Sequence, residues 1–202
     1  MSTRGRSYEP SHLTTGPPCK HNNPERMDIV IPSEFEPLWR MSDEQPVVKY
    51  PADVLREVAA PVARVNKRVR QLIEQMVEVT KKAHGIGLAA PQVGNSERVI
   101  IVSIDGRKLT ALINPVILRA EGEQIGEEGC LSLPGLYGEV LRSAAIEVEA
   151  LDAEGRPVNL FLEGLAARVV QHEIDHLDGV LFVDRVDVGT LHWAWPAGAV
   201  AS

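Results

Sequence analysis

The sequence predicts one soluble domain that mixes helices with strands, and three observations carry that reading. Two stretches, residues 66–84 and 165–177, repeat their apolar side chains at helical spacing. Between them lie short apolar runs at 99–104, 109–113, 116–119 and 146–162, bounded by turn residues. With 202 residues, 44% hydrophobic and 24% charged, the chain can bury a core of its own.

Residues 1–51 differ from the rest. They hold eight of the fourteen prolines and mix six Lys/Arg with seven Asp/Glu, so neither a helical period nor a charge bias emerges. We divide the chain into a proline-rich, partly disordered N-terminal arm over 1–46, a folded domain over 47–190 and a short C-terminal tail over 191–202. Arg4 and Arg6 beside a single acid, Glu9, faintly resemble a transit peptide, but Pro10, Pro17 and Pro18 argue against the amphipathic helix such peptides form. Residues 27–41, with Ile29, Ile31, Phe35, Leu38 and Trp39, are apolar enough to dock on the domain.

Along 66–84, Val69, Leu72, Ile73, Met76, Thr80 and Ala83 mark an inner face, Glu78 and Lys82 make an i,i+4 pair outside, and Gly85 is expected to end the helix. GIGLAA, residues 85–90, follows. It matches the dinucleotide pattern G-x-G-x-x-A, yet that motif works only after a strand and at the opening of a helix; here the order is inverted, so nucleotide binding is rejected. Two glycines can instead let backbone approach a ligand, with Gln92 projecting an amide into the same space. Ile146, Val148 and Ala150, the turn 152–155, then Val158, Leu160 and Leu162 read as a hairpin that leads straight into the second helix.

That helix carries QHEIDHLDG, residues 171–179. In H-E-x-x-H, His172 and His176 lie one turn apart on one face, so both ring nitrogens can reach one cation while the Glu173 carboxylate stands beside its water. Leu165 and Val169 continue the His172 stripe, and Ala166, Val170, Ile174 and Leu177 form the adjacent one. A catalytic site needs a third ligand and an open position. Phe182 occupies the place of the third histidine of the longer H-E-x-x-H-x-x-G-x-x-H pattern, and no glutamate follows Glu173, so the third ligand comes from upstream. Cys130, between a glycine and a strand-like Leu-Ser-Leu, is one candidate and His84 the rival.

A formal net charge of -7 argues against general attraction to nucleic acid or an anionic membrane. Two cysteines far apart, Cys19 and Cys130, are no disulfide framework and fit a reducing compartment. No apolar run approaches the length of a membrane span or a signal-peptide core, and the expected location is cytoplasmic.

GIGLAAPQVG, EGCLS and QHEIDHLDG, in this order and at these separations, resemble the three signature motifs of the peptide deformylases, over residues 49–185. The resemblance implies an α+β fold with antiparallel sheets packed around a central metal-binding helix. It implies a metal held by Cys130, His172 and His176, Glu173 as acid/base, and an oxyanion hole from the Gln92 side chain and the Leu131 backbone N–H. It further implies that the backbone at Gly85, Ile86 and Gly87 pairs with an extended peptide and that Asp175 forms with Arg142 an ion pair holding the helix. From periodicity, Leu165 and Val169, with Ile86, line a pocket for the methionine side chain.

The reaction so implied is removal of the formyl group from the initiating formyl-methionine of new polypeptides, with formate released. Fe²⁺ is the cofactor expected from the resemblance, one ion per chain, with Zn²⁺, Ni²⁺ or Co²⁺ as alternatives. The partners expected are formyl-methionyl nascent peptides and the ribosome near its exit tunnel, without direct DNA binding or a membrane. Two other classes stay open: a metallopeptidase or other amidohydrolase, told apart by cleavage of unformylated peptide bonds, and a non-catalytic binding protein of the same fold.

Overall fold

A computed structural model describes residues 26–41 and 46–195. The start of the arm with Cys19, residues 42–45 and residues 196–202 lie outside the described residues, and with them most of the stretch expected to be disordered. Among the described residues no helix is long and apolar enough to cross a membrane.

The arm enters through a 3-10 turn at Ser33–Phe35 that runs into a short helix, α1 (Glu36–Met41). Val30 is exposed, but five larger apolar residues of this segment are drawn onto the domain. Phe35 and Leu38 are buried, and Met27, Ile29 and Trp39 pack on the cluster formed by Leu133, Leu136, Leu181 and Phe182. Residues 27–41 do dock on the domain, because burying such side chains stabilises by about 1.5–3 kcal/mol each as an upper bound and so offsets the ordering entropy.

Helix α2 (Lys67–Lys82) starts where Asn66 accepts the Val69 N–H at 3.1 Å, an N-cap bond. Val69, Leu72, Ile73, Met76 and Thr80 are buried as the period requires. Its end differs from expectation. His84, at φ 53, is the left-handed residue that closes the helix, with its N–H on Lys81 O and the Gly85 N–H on Thr80 O. Glycine is therefore not the residue that needs the special angle there, and the His84 ring is turned out beside the cleft described below.

The larger sheet has five antiparallel strands in the order β1-β2-β3-β6-β7, and the smaller has three in the order β4-β5-β8. The strands are β1 (Gly87–Ala89), β2 (Val99–Ser103), β3 (Leu109–Glu121), β4 (Gln124–Cys130), β5 (Leu133–Arg142), β6 (Ala145–Leu151), β7 (Pro157–Glu163) and β8 (His192–Trp193). Alternation places Val99 and Ile101 against α2, and Ile100 and Val102 in the opposite cluster with Val170 and Ile174. Burial on both faces explains the unbroken apolar run in β2.

The runs at 109–113 and 116–119, read as separate strands, are one strand with an irregularity between Ile113 and Val116. Asn114 adopts φ 52 there, and its side-chain amide bonds both the N–H and the carbonyl of Val62 at 2.8 and 2.9 Å. Pro115 is tolerated because it falls at this bulge.

The β6–β7 hairpin leads directly into α3 (Gly164–Leu177). Ala167, Val170, Ile174 and Leu177 face the five-stranded sheet, while Arg168 and His172 reach β4 and Asp175 reaches Arg142 on β5. The fold is thus α+β, with antiparallel sheets around a central helix. Gly179, at φ 72, ends that helix, and a Cβ there would stand 2.6 Å from Arg56 O.

Candidate metal centre

Period-two alternation along β4 turns Glu128 and Cys130 to the same buried side, and the chain then reverses. Leu131 and Ser132 form that reversal. The strand-like reading of Leu-Ser-Leu is corrected accordingly: only Leu133 belongs to a strand, because the tight turn is what carries the chain back into β5. Lys49 Nζ donates to Leu131 O at 2.8 Å, which ties the turn to the segment entering the domain.

From the other side, α3 presents His172 and His176 with ring centroids 5.0 Å apart and nearly perpendicular. His176 Nε2 lies 3.2 Å from Cys130 Sγ. The ligand atoms of Cys130, His172 and His176 all fall within 4.8 Å of one another, the one group of this kind found among the described residues. His84 lines the same cleft but is not part of that group.

The environment favours a thiolate between imidazoles. Burial alone would raise the Cys130 thiol, but the His176 and His172 rings outweigh it and hold the thiol well below its ordinary value. The Ser132 N–H and the Gln92 amide each donate to Sγ at 3.4 Å. His172 Nδ1 donates to Glu128 Oε2 at 2.8 Å, which leaves Nε2 as the free electron pair on the thiol side.

Glu128 was not singled out from sequence, although its place two residues before Cys130 on a strand was a usable signal. Its oxygens accept from Arg142 Nε and Nη2 at 2.9 Å each and from Arg168 Nη1 at 2.7 Å. Burial pushes its carboxyl up, yet Arg142 and His172 prevail and keep it well below the usual carboxylate range. Arg168 also donates to the Gly126 and Val140 carbonyls. Arg142 continues the chain of charges to Asp175, the ion pair expected from sequence, and Arg185 joins Asp175 at 2.6 and 2.7 Å.

Glu173 is buried beside this group. Burial raises its carboxyl to about 7, against the opposing pull of the neighbouring His172 and His176 rings. Its Oε2 and the Nδ1 of His176 are buried without a hydrogen-bond partner. An orphaned carboxylate oxygen next to a thiolate and two imidazole nitrogens fits a divalent transition metal and its water. Gln92 is also buried; its Oε1 accepts the Ala89 N–H at 2.9 Å, so its Nε2 is aimed at Sγ and at Ser132 Oγ, 3.2 Å away.

A cleft of about 700 Å³ opens over the group and is lined by Gly85, Ile86, Gly87, Leu165, Val169 and Glu173 among others. Ile86 and Leu165 are exposed at it, and Val169 is buried in its floor. The residues expected to hold the metal, act on it or bind substrate converge on one place: Cys130 at the end of β4, Leu131 from the turn after it, Gln92 from the 3-10 turn after β1, the 85–87 segment that leads into β1, and the rest from α3.

The sequence profile of the polypeptide deformylases matches residues 44–190. The chain is 51% identical over 141 residues to the peptide deformylase of Symbiobacterium thermophilum, covering 69% of this chain and 65% of that one. It is 47% identical over 139 residues to that of Desulfitobacterium hafniense, covering 69% and 92%. Among solved structures, the peptide deformylase of Thermotoga maritima is similar with a TM-score of 0.68 and 42% identity, over 70% of this chain and 96% of that one. That of Synechococcus elongatus in complex with actinonin is similar with a TM-score of 0.67 and 46% identity, over 70% and 78%.

Proposed function

The chain belongs to the peptide deformylase family, and from that premise we propose how its own residues carry out the reaction. Its activity is that of a metallohydrolase that removes the formyl group from N-terminal formyl-methionine, with formylated nascent peptides as substrates. The observation that carries the reading of the site is the buried, partnerless Glu173 carboxyl, raised to about 7, beside Cys130, His172 and His176.

Cys130, His172 and His176 hold one divalent ion, which when bound supplies Lewis-acid activation of water and of the formyl carbonyl. Glu173 takes a proton from the attacking water at Oε2. As the water oxygen bonds to the formyl carbon and the C–N bond breaks, Glu173 returns that proton to the leaving amine, giving formate and a free N-terminus. Burial, which raises this carboxyl above the ordinary carboxylate range, favours its holding the proton between the two halves of that exchange. Gln92 Nε2, already directed at the ligand sulfur, and the Leu131 N–H donate to the carbonyl oxygen as charge builds on it. The peptide runs extended along Gly85, Ile86 and Gly87, with its methionine side chain among Ile86, Leu165 and Val169.

Fe²⁺ is the ion we assign, with Zn²⁺, Ni²⁺ and Co²⁺ as substitutes the same donors accept, since a thiolate with two imidazoles suits several of these ions. We place the enzyme in the cytoplasm, meeting its substrates at the ribosome near the exit tunnel, without DNA or membrane partners; the net charge of -7 supports the last of these alone, since it disfavours general attraction to polyanionic surfaces. We keep the division into an arm over 1–46, a catalytic domain over 47–190 and a tail over 191–202, supported by the composition of the arm and by the family match over 44–190.

The test is formate release from a formyl-Met peptide before and after chelation and reloading. Metal-dependent release without cleavage of the unformylated peptide is the expected result; cleavage of internal bonds would replace this reading with that of a peptidase.

A further inference from the structure

Two stretches outside the matched region 44–190 meet at one residue, Gly135 of β5. Gly135 has φ +82, and a Cβ on it would stand 2.8 Å from Leu38 Cδ1 of α1 and 3.1 Å from Ala194 O. The Ala194 N–H donates to Gly135 O at 2.8 Å, and Trp193 pairs with Leu136 through β8. Phe35 closes the junction: its ring stacks at 5.2 Å on Trp193 and lies 5.8 Å from Trp195. Three residues on from Phe35, Leu38 is turned to the same side, buried against β5, and lines the substrate cleft beside Pro134, Gly135 and Leu136.

That stretch of wall comes from α1 and β5, whereas Ile86, Leu165 and Val169 come from the approach to β1 and from α3, and in the chain its β5 part follows Cys130 after the Leu131–Ser132 turn. A cleft of about 700 Å³ takes a ligand larger than one amino acid, so substrate beyond the methionine has room to reach it. We infer that Leu38, held by the Phe35–Trp193–Trp195 junction, is a specificity-determining residue that touches a side chain following the formyl-methionine and favours an apolar one there. The inference rests on the deformylase reading of the cleft. Apolar surface lining a wet cleft gains from an apolar partner and loses with a charged one.

The test uses the metal-loaded full chain and three substrates: formyl-Met amide, formyl-Met-Leu-Leu and formyl-Met-Lys-Lys. The wild type is expected to prefer the leucine peptide. Leu38→Ala lowers kcat/KM on that peptide by about tenfold relative to formyl-Met amide, mainly through KM, as for a lost apolar contact. Leu38→Glu shifts preference toward the lysine peptide, and Leu38→Met, similar in volume, restores the wild-type order. Melting temperatures show whether α1 stays docked; where Leu38→Glu releases it, the comparison of Ala with Met decides. Selectivity equal to wild type in the Ala and Glu variants overturns the assignment of Leu38. No formate from formyl-Met amide with the wild type would instead overturn the function itself.

Discussion

Gly87 and Glu173 occupy adjoining space with no room for a methyl group between them. A Cβ on Gly87 would come within 2.9 Å of Glu173 Cδ and of Val169 Cγ1, and closer still to Glu173 Oε1. Gly87→Ala should therefore push the carboxylate off its position while leaving Cys130, His172 and His176 in place. We expect one ion per chain as in the wild type, with kcat reduced by about a hundredfold, the cost of displacing a catalytic group by roughly 1 Å. Metal content measured alongside formate release checks it; wild-type turnover would show that the carboxylate position does not matter.

Glu173→Gln keeps the shape of the side chain but cannot take a proton. Metal content should stay near one ion per chain while kcat falls by roughly a hundredfold to ten-thousandfold. Cys130→Ala should instead lower the metal content itself, since it removes one of three ligands. A Gln variant that keeps most of its rate would refute the general-base role.

Protein loaded with ferrous iron under anaerobic conditions should turn over faster than the zinc form and lose activity in air, through oxidation of the iron or of Cys130. Zinc binds such donors more tightly than ferrous iron, so the comparison needs controlled loading rather than competition. Equal, air-stable activity of the two forms would contradict the assignment of iron.

Asp175 governs an acid-side loss of stability. Burial raises its carboxyl, but Arg142 and Arg185 outweigh that and hold it below its ordinary value of 3.8. A depressed folded value means the unfolded chain takes up the proton first. The contribution is thus complete above about 3.8 and is lost as the pH falls through the lower folded value. Asp175→Asn should be less stable than wild type at neutral pH, and the gap should close below that window. Urea midpoints of the metal-free proteins across the acid range measure this; a gap that does not change with pH would mean the ion pairs contribute nothing.

Deleting residues 1–23 should leave turnover on short formyl peptides unchanged, because that stretch has few apolar side chains to offset its ordering entropy. Deletion through Met41 removes Phe35 and Leu38, both buried, and should lower the melting temperature and expose apolar surface to a hydrophobic dye. Loss of activity from the shorter deletion would mean that the first residues reach the cleft.

What could be read from the chain before folding follows from the range of each signal. The helix period of 165–177 put His172, His176 and Glu173 together, and the order of motifs supplied Cys130, because these depend on spacing along the chain. The His84 closure of α2 was misread since glycine is the usual residue there, and only tertiary surroundings select histidine. Leu131 and Ser132 have strand-like neighbours, but the reversal is imposed by β4 pairing with β5. Glu128 was legible in principle from alternation. Its grip on Arg142, Arg168 and His172 was not, because those partners lie 14, 40 and 44 residues away. The meeting of Leu38 from the arm and Ala194 from the tail at Gly135 is longer in range still.

That meeting decides what the protein's own light reports. The three tryptophans, Trp39, Trp193 and Trp195, all fall outside the stretch 44–190 and cluster with Phe35 at the arm–tail junction or on the core beneath it. Intrinsic tryptophan emission is therefore a gauge of the clasp and not of the metal-bearing helix. A denaturation curve followed by emission and one followed by far-ultraviolet dichroism should separate, with the emission change coming first, and a ligand that closes on Leu38 should be visible optically without any added label.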